Sequence, residues 1–106
     1  MTEATITNCF DDTVAFNDYG GLKCKCGCEN LHHERVTIFN RTEDEDRVRV
    51  AETDGVNCVM SIQDNDKSEN PSSRRDGLII NTWCESGCQE RLAIYQHKGA
   101  TFFKWL

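Results

Sequence analysis

Two stretches of this chain carry residues able to do chemistry: residues 22–33, LKCKCGCENLHH, and residues 83–88, WCESGC. The first sets Cys24, Cys26 and Cys28 at alternate positions; the second sets Cys84 and Cys88 four apart, and each group sits in a Gly-containing turn. Zn²⁺ prefers thiolate ligands, and four of them close its shell, so one pair from each of two distant loops makes a tetrahedral site. Five thiols compete for four places. The common zinc knuckle is C-x₂-C followed by Gly, because Gly accepts positive φ and lets backbone N–H groups point at sulfur. Neither turn has two intervening residues, but Cys26-Gly27 carries the end of that signature. The expected ligands are therefore Cys24, Cys26, Cys84 and Cys88, with Cys28 as the alternate thiol. His33, beside His32, is a further alternate that would give a Cys₃His site. The plainer role for this histidine pair is a strand entrance, with one ring packed and one hydrogen-bonded to backbone.

Seven cysteines in 106 residues could instead form disulfides. The odd count leaves one thiol over, and the first three thiols are too close to bridge one another without strain. The start, MTEATITNCFDD, is polar and acidic rather than charged-then-apolar like a secretion signal. Thiols on a metal in a cytoplasmic protein are the expectation. Cys9 and Cys58 stand outside the two groups and read as small buried hydrophobes, Cys58 on the apolar side of a strand.

An enzymatic reading is available. His32-His33-Glu34 spells H-x-E, and with a downstream cysteine pair it evokes the zinc nucleobase deaminases, whose signature is H-x-E…P-C-x-x-C. No Pro precedes Cys84, three residues rather than two separate the cysteines, and Glu34 runs into strand-like VTIF. A four-thiolate site also leaves no position for a reacting water. The sequence has neither a GxSxG nor a phosphate-binding loop. The chain is expected not to be an enzyme.

The elements that must hold the cysteines in place are strands. Apolar residues make up 38% of the chain, about 45% with Gly, at the low edge for a globular domain. One domain is expected, 22–106, preceded by a loosely structured segment, 1–21. From Glu34 onward the period is two. In 35–41, Val36 and Ile38 face one way and Thr37 and Phe39 the other. In 47–52, Val48 and Val50 oppose Arg47 and Arg49. In 56–63, Val56, Cys58, Met60 and Ile62 share a face. Asp54-Gly55 between these last two runs is a type I′ hairpin signal. Strand character returns at 78–83, and 91–97 and 101–106 form a hairpin about Lys98-Gly99. The fold class is mainly β: a small antiparallel sheet of about six strands, mostly sequential neighbours, with a zinc-ribbon-like metal site and little helix. Trp83 and Trp105 belong to its core. The first cysteine group precedes the first strand and the second joins the fourth to the fifth, so both can meet at one end of the sheet.

The polar stretch 64–77, DNDKSENPSSRRDG, is a long connection holding the only proline. A loop of that length in a small domain is usually functional or disordered. Its Arg74 and Arg75 could grip a phosphate or a partner's carboxylate, or pair with Asp76 and Glu69. The acidic run Glu43, Asp44, Glu45 and Asp46 is a solvated turn or a docking patch for a basic partner. Formal charge is −6, and four thiolates on one dication add about −2 locally, a field that favours basic partners over nucleic acid phosphates. No apolar run approaches the roughly 20 residues of a membrane span.

With these residues in view a likeness emerges. CGCENLHH, VTIFNRTEDED, NPSSRRDGLIINTWCE and AIYQHKGATFFKW resemble a group of small, largely uncharacterised zinc-ribbon proteins of bacteriophages, prophages and other bacterial mobile elements. The likeness covers roughly residues 22–105, and the family's paired cysteines correspond to Cys24/Cys26 and Cys84/Cys88. It implies one structural Zn²⁺, a β-domain and a bacterial or viral cytoplasmic setting, and brings no activity with it. Joined to the acidic charge, it leads to the expectation of a non-enzymatic interaction module that inhibits a host complex, such as a CRISPR or other defence assembly with a basic channel. A nucleic-acid-binding ribbon, such as a transcription accessory factor, is the competing class, built on Arg47, Arg49, Arg74 and Arg75. Pairing of 101–106 with its symmetry mate is the expected route to a dimer.

Overall fold

The computed structural model describes residues 13–106; Cys9 lies outside them. Six strands follow in order: β1 Leu31–Asn40, β2 Arg47–Thr53, β3 Cys58–Asp64, β4 Gly77–Cys84, β5 Gln89–His97 and β6 Ala100–Trp105, with one 3-10 turn at Asn65–Lys67. They form a single sheet in the order β3-β2-β1-β4-β5-β6, every neighbouring pair antiparallel. The six expected strands are all present. One junction is not sequential: β1 lies between β2 and β4, so the sheet is two three-stranded meanders joined along a β1–β4 seam.

That seam explains the long polar connection. After β3 the chain must cross the ends of β2 and β1 to begin β4, and residues 65–76 make this crossing. They are ordered by their own polar side chains. Asn70 Nδ2 donates to Asn65 Oδ1 and to the Arg75 carbonyl, and its Oδ1 accepts the Ser72 amide. Ser72, 2% exposed, donates to the Gln96 carbonyl at 2.6 Å and accepts the amides of Arg74 and Arg75. The crossing closes tightly on the start of β4: a Cβ at Gly77 would sit 2.5 Å from Asn70 Oδ1 and 2.6 Å from Pro71 Cδ, so only glycine fits.

Cross-strand neighbours share a face. On one face, Phe39, Val48, Val50 and Ile79 form a buried cluster, with Ala93 fully buried beside Ile79 in register. The expected alternation of β1 and β2 therefore holds, and it is the Phe39 side that is covered. On the other face the buried residues are Leu92, Thr82, Cys84 and Trp105, all on β4–β6. The segment before β1 packs on this side: residues 16 and 22 pair across the Asn17–Gly21 turn, and the Phe16 ring meets Phe103 edge-on at 6.3 Å.

Among the described residues nothing comparable covers the β1–β3 half of that face, and three expectations fail there for one reason. Cys58 is exposed, as are Met60 and Ile62. Alternation told which residues share a side; it did not tell whether a second layer lies over that side. Trp83 also departs from expectation, 39% exposed, because it points to the side away from Thr82 and Cys84 at the end of β4, where it stacks on His32. Trp105 is core, 1% exposed.

The turns follow their residues. Lys98 and Gly99 both take positive φ, 51° and 80°, giving the two-residue link between β5 and β6. At Asp54-Gly55 only the glycine does, at 93°, and the hairpin is a four-residue loop: the Asp54 carboxylate accepts the amides of Val56 and Asn57, which holds its pKa below the usual carboxylate value. β3 accordingly starts at Cys58 rather than Val56.

Candidate metal centre

The two cysteine turns are one structure built twice. Both read C-x-x-G-C, Cys24-Lys25-Cys26-Gly27-Cys28 and Cys84-Glu85-Ser86-Gly87-Cys88. In each, the glycine takes positive φ (97° and 102°) and donates to the first cysteine's carbonyl, at 2.8 and 2.9 Å. In each, the amide of the first cysteine donates to the carbonyl of the cysteine at the fifth position, Cys24 to Cys28 and Cys84 to Cys88, at 2.9 Å. A single pattern of residues thus forces the same tight turn at both places, with glycine where an L side chain would be strained.

Register brings the turns together. Leu31, just after the first turn, pairs with Cys84 at the end of β4, and the Glu85 amide donates to the Asn30 carbonyl at 3.1 Å. As a result the Sγ atoms of Cys24, Cys26, Cys84 and Cys88 all lie within 4.8 Å of one another. Cys26 and Cys84 stand 3.7 Å apart, against about 3.8 Å for two sulfurs on tetrahedral zinc at Zn–S near 2.3 Å. Cys24 and Cys84 are buried, Cys88 is half-buried and Cys26 is exposed. The cluster can hold one metal ion, and an all-thiolate set of this size suits zinc.

Cys28 and the histidines lie outside the four. The Cys28 sulfur accepts the Asn30 amide at 3.4 Å. His32 Nε2 meets Glu85 Oε2 at 2.9 Å while its ring stacks on Trp83 at 4.1 Å, nearly parallel. β1 starts four residues before Arg35 because a bulge between His33 and Val36 absorbs the break in alternation, carrying both histidines into the strand.

The surroundings of the four thiols split their proton affinities, two downward and two upward. The Cys28 amide bonding the Cys26 sulfur, helped by neighbouring thiols, lowers Cys26 below its ordinary value. Burial works to raise Cys84, but amides of Cys88 and Ser86 outweigh it and the net shift is downward. Burial pushes Cys24 up to about 11, and Cys88 is pushed up to about 12, chiefly by its hydrogen bond to Cys26. Four like charges cannot gather without a cation, so two thiols keep their protons at neutral pH. A metal that takes all four as thiolates must displace them. Zinc binding near pH 7 is expected to release at least about two protons per chain, and affinity should rise with pH, because protons and metal compete for the same sulfurs. Calorimetry in two buffers of different ionisation enthalpy reads that number directly; no proton release would rule out four-thiolate ligation.

The acidic and basic side chains singled out in the sequence meet at the opposite end of the sheet. Arg74 makes a two-point contact with Asp44 (Nε–Oδ1 3.1 Å, Nη2–Oδ2 2.8 Å) and reaches Glu43 at 2.6 Å; Arg75 reaches Glu43 at 2.7 Å. The Arg74 guanidinium holds the Asp44 carboxyl below its ordinary pKa. Neither arginine's ion-pair partner is Asp76 or Glu69. Asp76 instead accepts the Arg41 amide, and Glu69 pairs with Arg91. Glu45 and Asp46 contribute backbone carbonyls, to Arg41 Nε and to the Asn65 amide. The acidic turn and the crossing are thus latched to each other, and at their exposure these pairs add little stability beyond fixing geometry. Comparison with protein-family models, curated proteins and solved structures finds no match to this chain.

Proposed function

We propose that this chain is a zinc-stabilised, non-enzymatic protein-interaction module. The observation that carries it is the gathering of Cys24, Cys26, Cys84 and Cys88 within 4.8 Å at one end of the sheet. Four thiolates close the coordination shell of zinc, so the ion's role is to staple loops. The partner in this reading is a protein complex with a basic surface. Its support is the net charge of −6 and the exposed Asp46, Asp64 and Asp66, which line one shallow pocket with Arg41 and Asn65. A bacterial host's defence complex, CRISPR assemblies among them, is the target class that the mobile-element resemblance adds.

The nucleic-acid reading rests on Arg47, Arg49, Arg74 and Arg75. Arg47 and Arg49 share one side of β2, but Arg74 and Arg75 are engaged by Glu43 and Asp44, which weighs against a common phosphate-binding patch. The deaminase reading has less support, since neither His32 nor His33 joins the thiol cluster.

Binding to an immobilised basic host complex should be saturable, weaken steeply between low and physiological salt, and fall further in an Asp46→Asn/Asp66→Asn variant. Retention on heparin or DNA at low salt, lost on replacing Arg47 and Arg49, would instead establish the nucleic-acid reading.

A further inference from the structure

β3 is an edge strand whose only neighbour among the described residues is β2, and every one of its seven residues is exposed. Its register with β2 runs without interruption from Thr53–Cys58 to Arg47–Asp64. Proteins guard such edges with proline, lysine, a bulge or a covering loop. Residues 58–64, CVMSIQD, have no proline, no lysine and no bulge, and Val59, Met60 and Ile62 are 60%, 76% and 58% exposed. The other edge, β6, carries Lys104 and is flanked by Phe16.

The register adds a second observation. Phe103, Ile94, Leu78, Ile38, Ala51 and Met60 are consecutive cross-strand partners, one apolar residue from each of the six strands. This row crosses the whole sheet on one face and stops at Met60, the most exposed member.

We propose that β3 pairs antiparallel with β3 of a second copy of this chain, about a two-fold axis through Ser61, to make a continuous twelve-stranded sheet. The strand is complementary to itself in that arrangement. Met60 comes opposite Ile62 of the second copy, which extends the apolar row, and Val59 comes opposite Gln63. The strand's single charge, Asp64, lies 3.6 Å from Arg47 and comes opposite Cys58 of the second copy. No acid meets an acid, although the chain as a whole is strongly acidic. An extended segment of an unrelated protein would have no such match built in. Pairing through seven residues is a small interface, so the dimer is reversible.

Sedimentation velocity on the zinc-loaded full chain, in reductant to exclude a Cys58 disulfide, tests this between about 1 and 200 μM. The wild type should pass from monomer to dimer across that range. Met60→Lys and, separately, Ile62→Glu should shift the midpoint at least about tenfold upward, with circular dichroism and zinc content unchanged, since both side chains are solvent-exposed. Thr101→Lys on β6 should leave the midpoint alone. A wild type that stays monomeric at the highest concentration overturns the proposal, as does a dimer that survives both β3 variants or is lost in Thr101→Lys.

Discussion

Replacing Cys84 with serine is expected to abolish zinc binding and with it the fold. Cys84 is 2% exposed, ends β4, and pairs with Leu31 at the point where both turns meet. Structural zinc contributes about 10–16 kcal/mol of apparent binding in small zinc-finger peptides. Net stability of a single domain is about 5–15 kcal/mol, so losing the ion removes as much as the whole margin. Native mass spectrometry should show one zinc per wild-type chain and none in Cys84→Ser, whose strand signal in circular dichroism should collapse; chelation should reproduce both results. Cys28→Ser is the matched control. It removes a thiol from the same turn, but one bonded to the Asn30 amide rather than facing the cluster, and stability should move by no more than about 0.5 kcal/mol. If Cys28→Ser loses zinc while Cys26→Ser keeps it, the fourth ligand is Cys28. Should the wild type carry no metal and yet stay folded, the staple is not zinc.

Truncating Trp105 to alanine should cost about 3–5 kcal/mol, the range for large aromatic side chains removed from a core. Trp105 is 1% exposed and pairs with Leu92, itself 3% exposed, on the side where the segment before β1 lies over β4–β6. The sheet has few fully buried large side chains, so neighbours have little with which to fill the space. At roughly 4–8 °C per kcal/mol for a chain of this size, the melting temperature of the zinc-loaded protein should fall by more than about 12 °C. Trp83→Ala, at 39% exposure, should fall by much less, although both tryptophans read alike in the sequence.

The contrast between those tryptophans marks what the sequence could convey. Period-two alternation located the first three strands, because a half-buried pleated sheet leaves that trace in its side chains, and apolar runs set about the cysteine turn and Lys98-Gly99 located the other three. The two cysteine turns are visible too, and the Cys26-Gly27 signature points to the four sulfurs that gather, although the spacing does not reveal that the same backbone turn is built at both places. In the first turn the gathered sulfurs come from positions one and three, Cys24 and Cys26, and in the second from positions one and five, Cys84 and Cys88. Hidden from the sequence was whatever depends on which strands become neighbours. The pairing of Arg74 with Glu43 and Asp44 spans about thirty residues and exists only because the crossing passes over the β1–β2 turn. Cys58 and Trp83 alternate as core residues do, but their exposure is decided by where the covering segments end. The bulge after His33 erases the alternation that would have extended β1 backward. The order of residues 65–76 rests on Asn70 and Ser72, whose partners come from four different parts of the crossing and β5.

The seam between β1 and β4 also sets a sequence of events during synthesis. Residues 31–64 can complete their meander as soon as they emerge, with β1 left as an open edge and only Cys24 and Cys26 of the four clustered thiols yet made. The seam cannot close until 77–84 appears, and the four-sulfur cluster cannot form until Cys88 has left the ribosome. A metal ion on all four sulfurs can therefore be captured only among the last steps of assembly, and a chain halted before that residue presents an unpaired strand and an incomplete cluster, the state most exposed to mispairing and to the proteases that clear unfinished proteins.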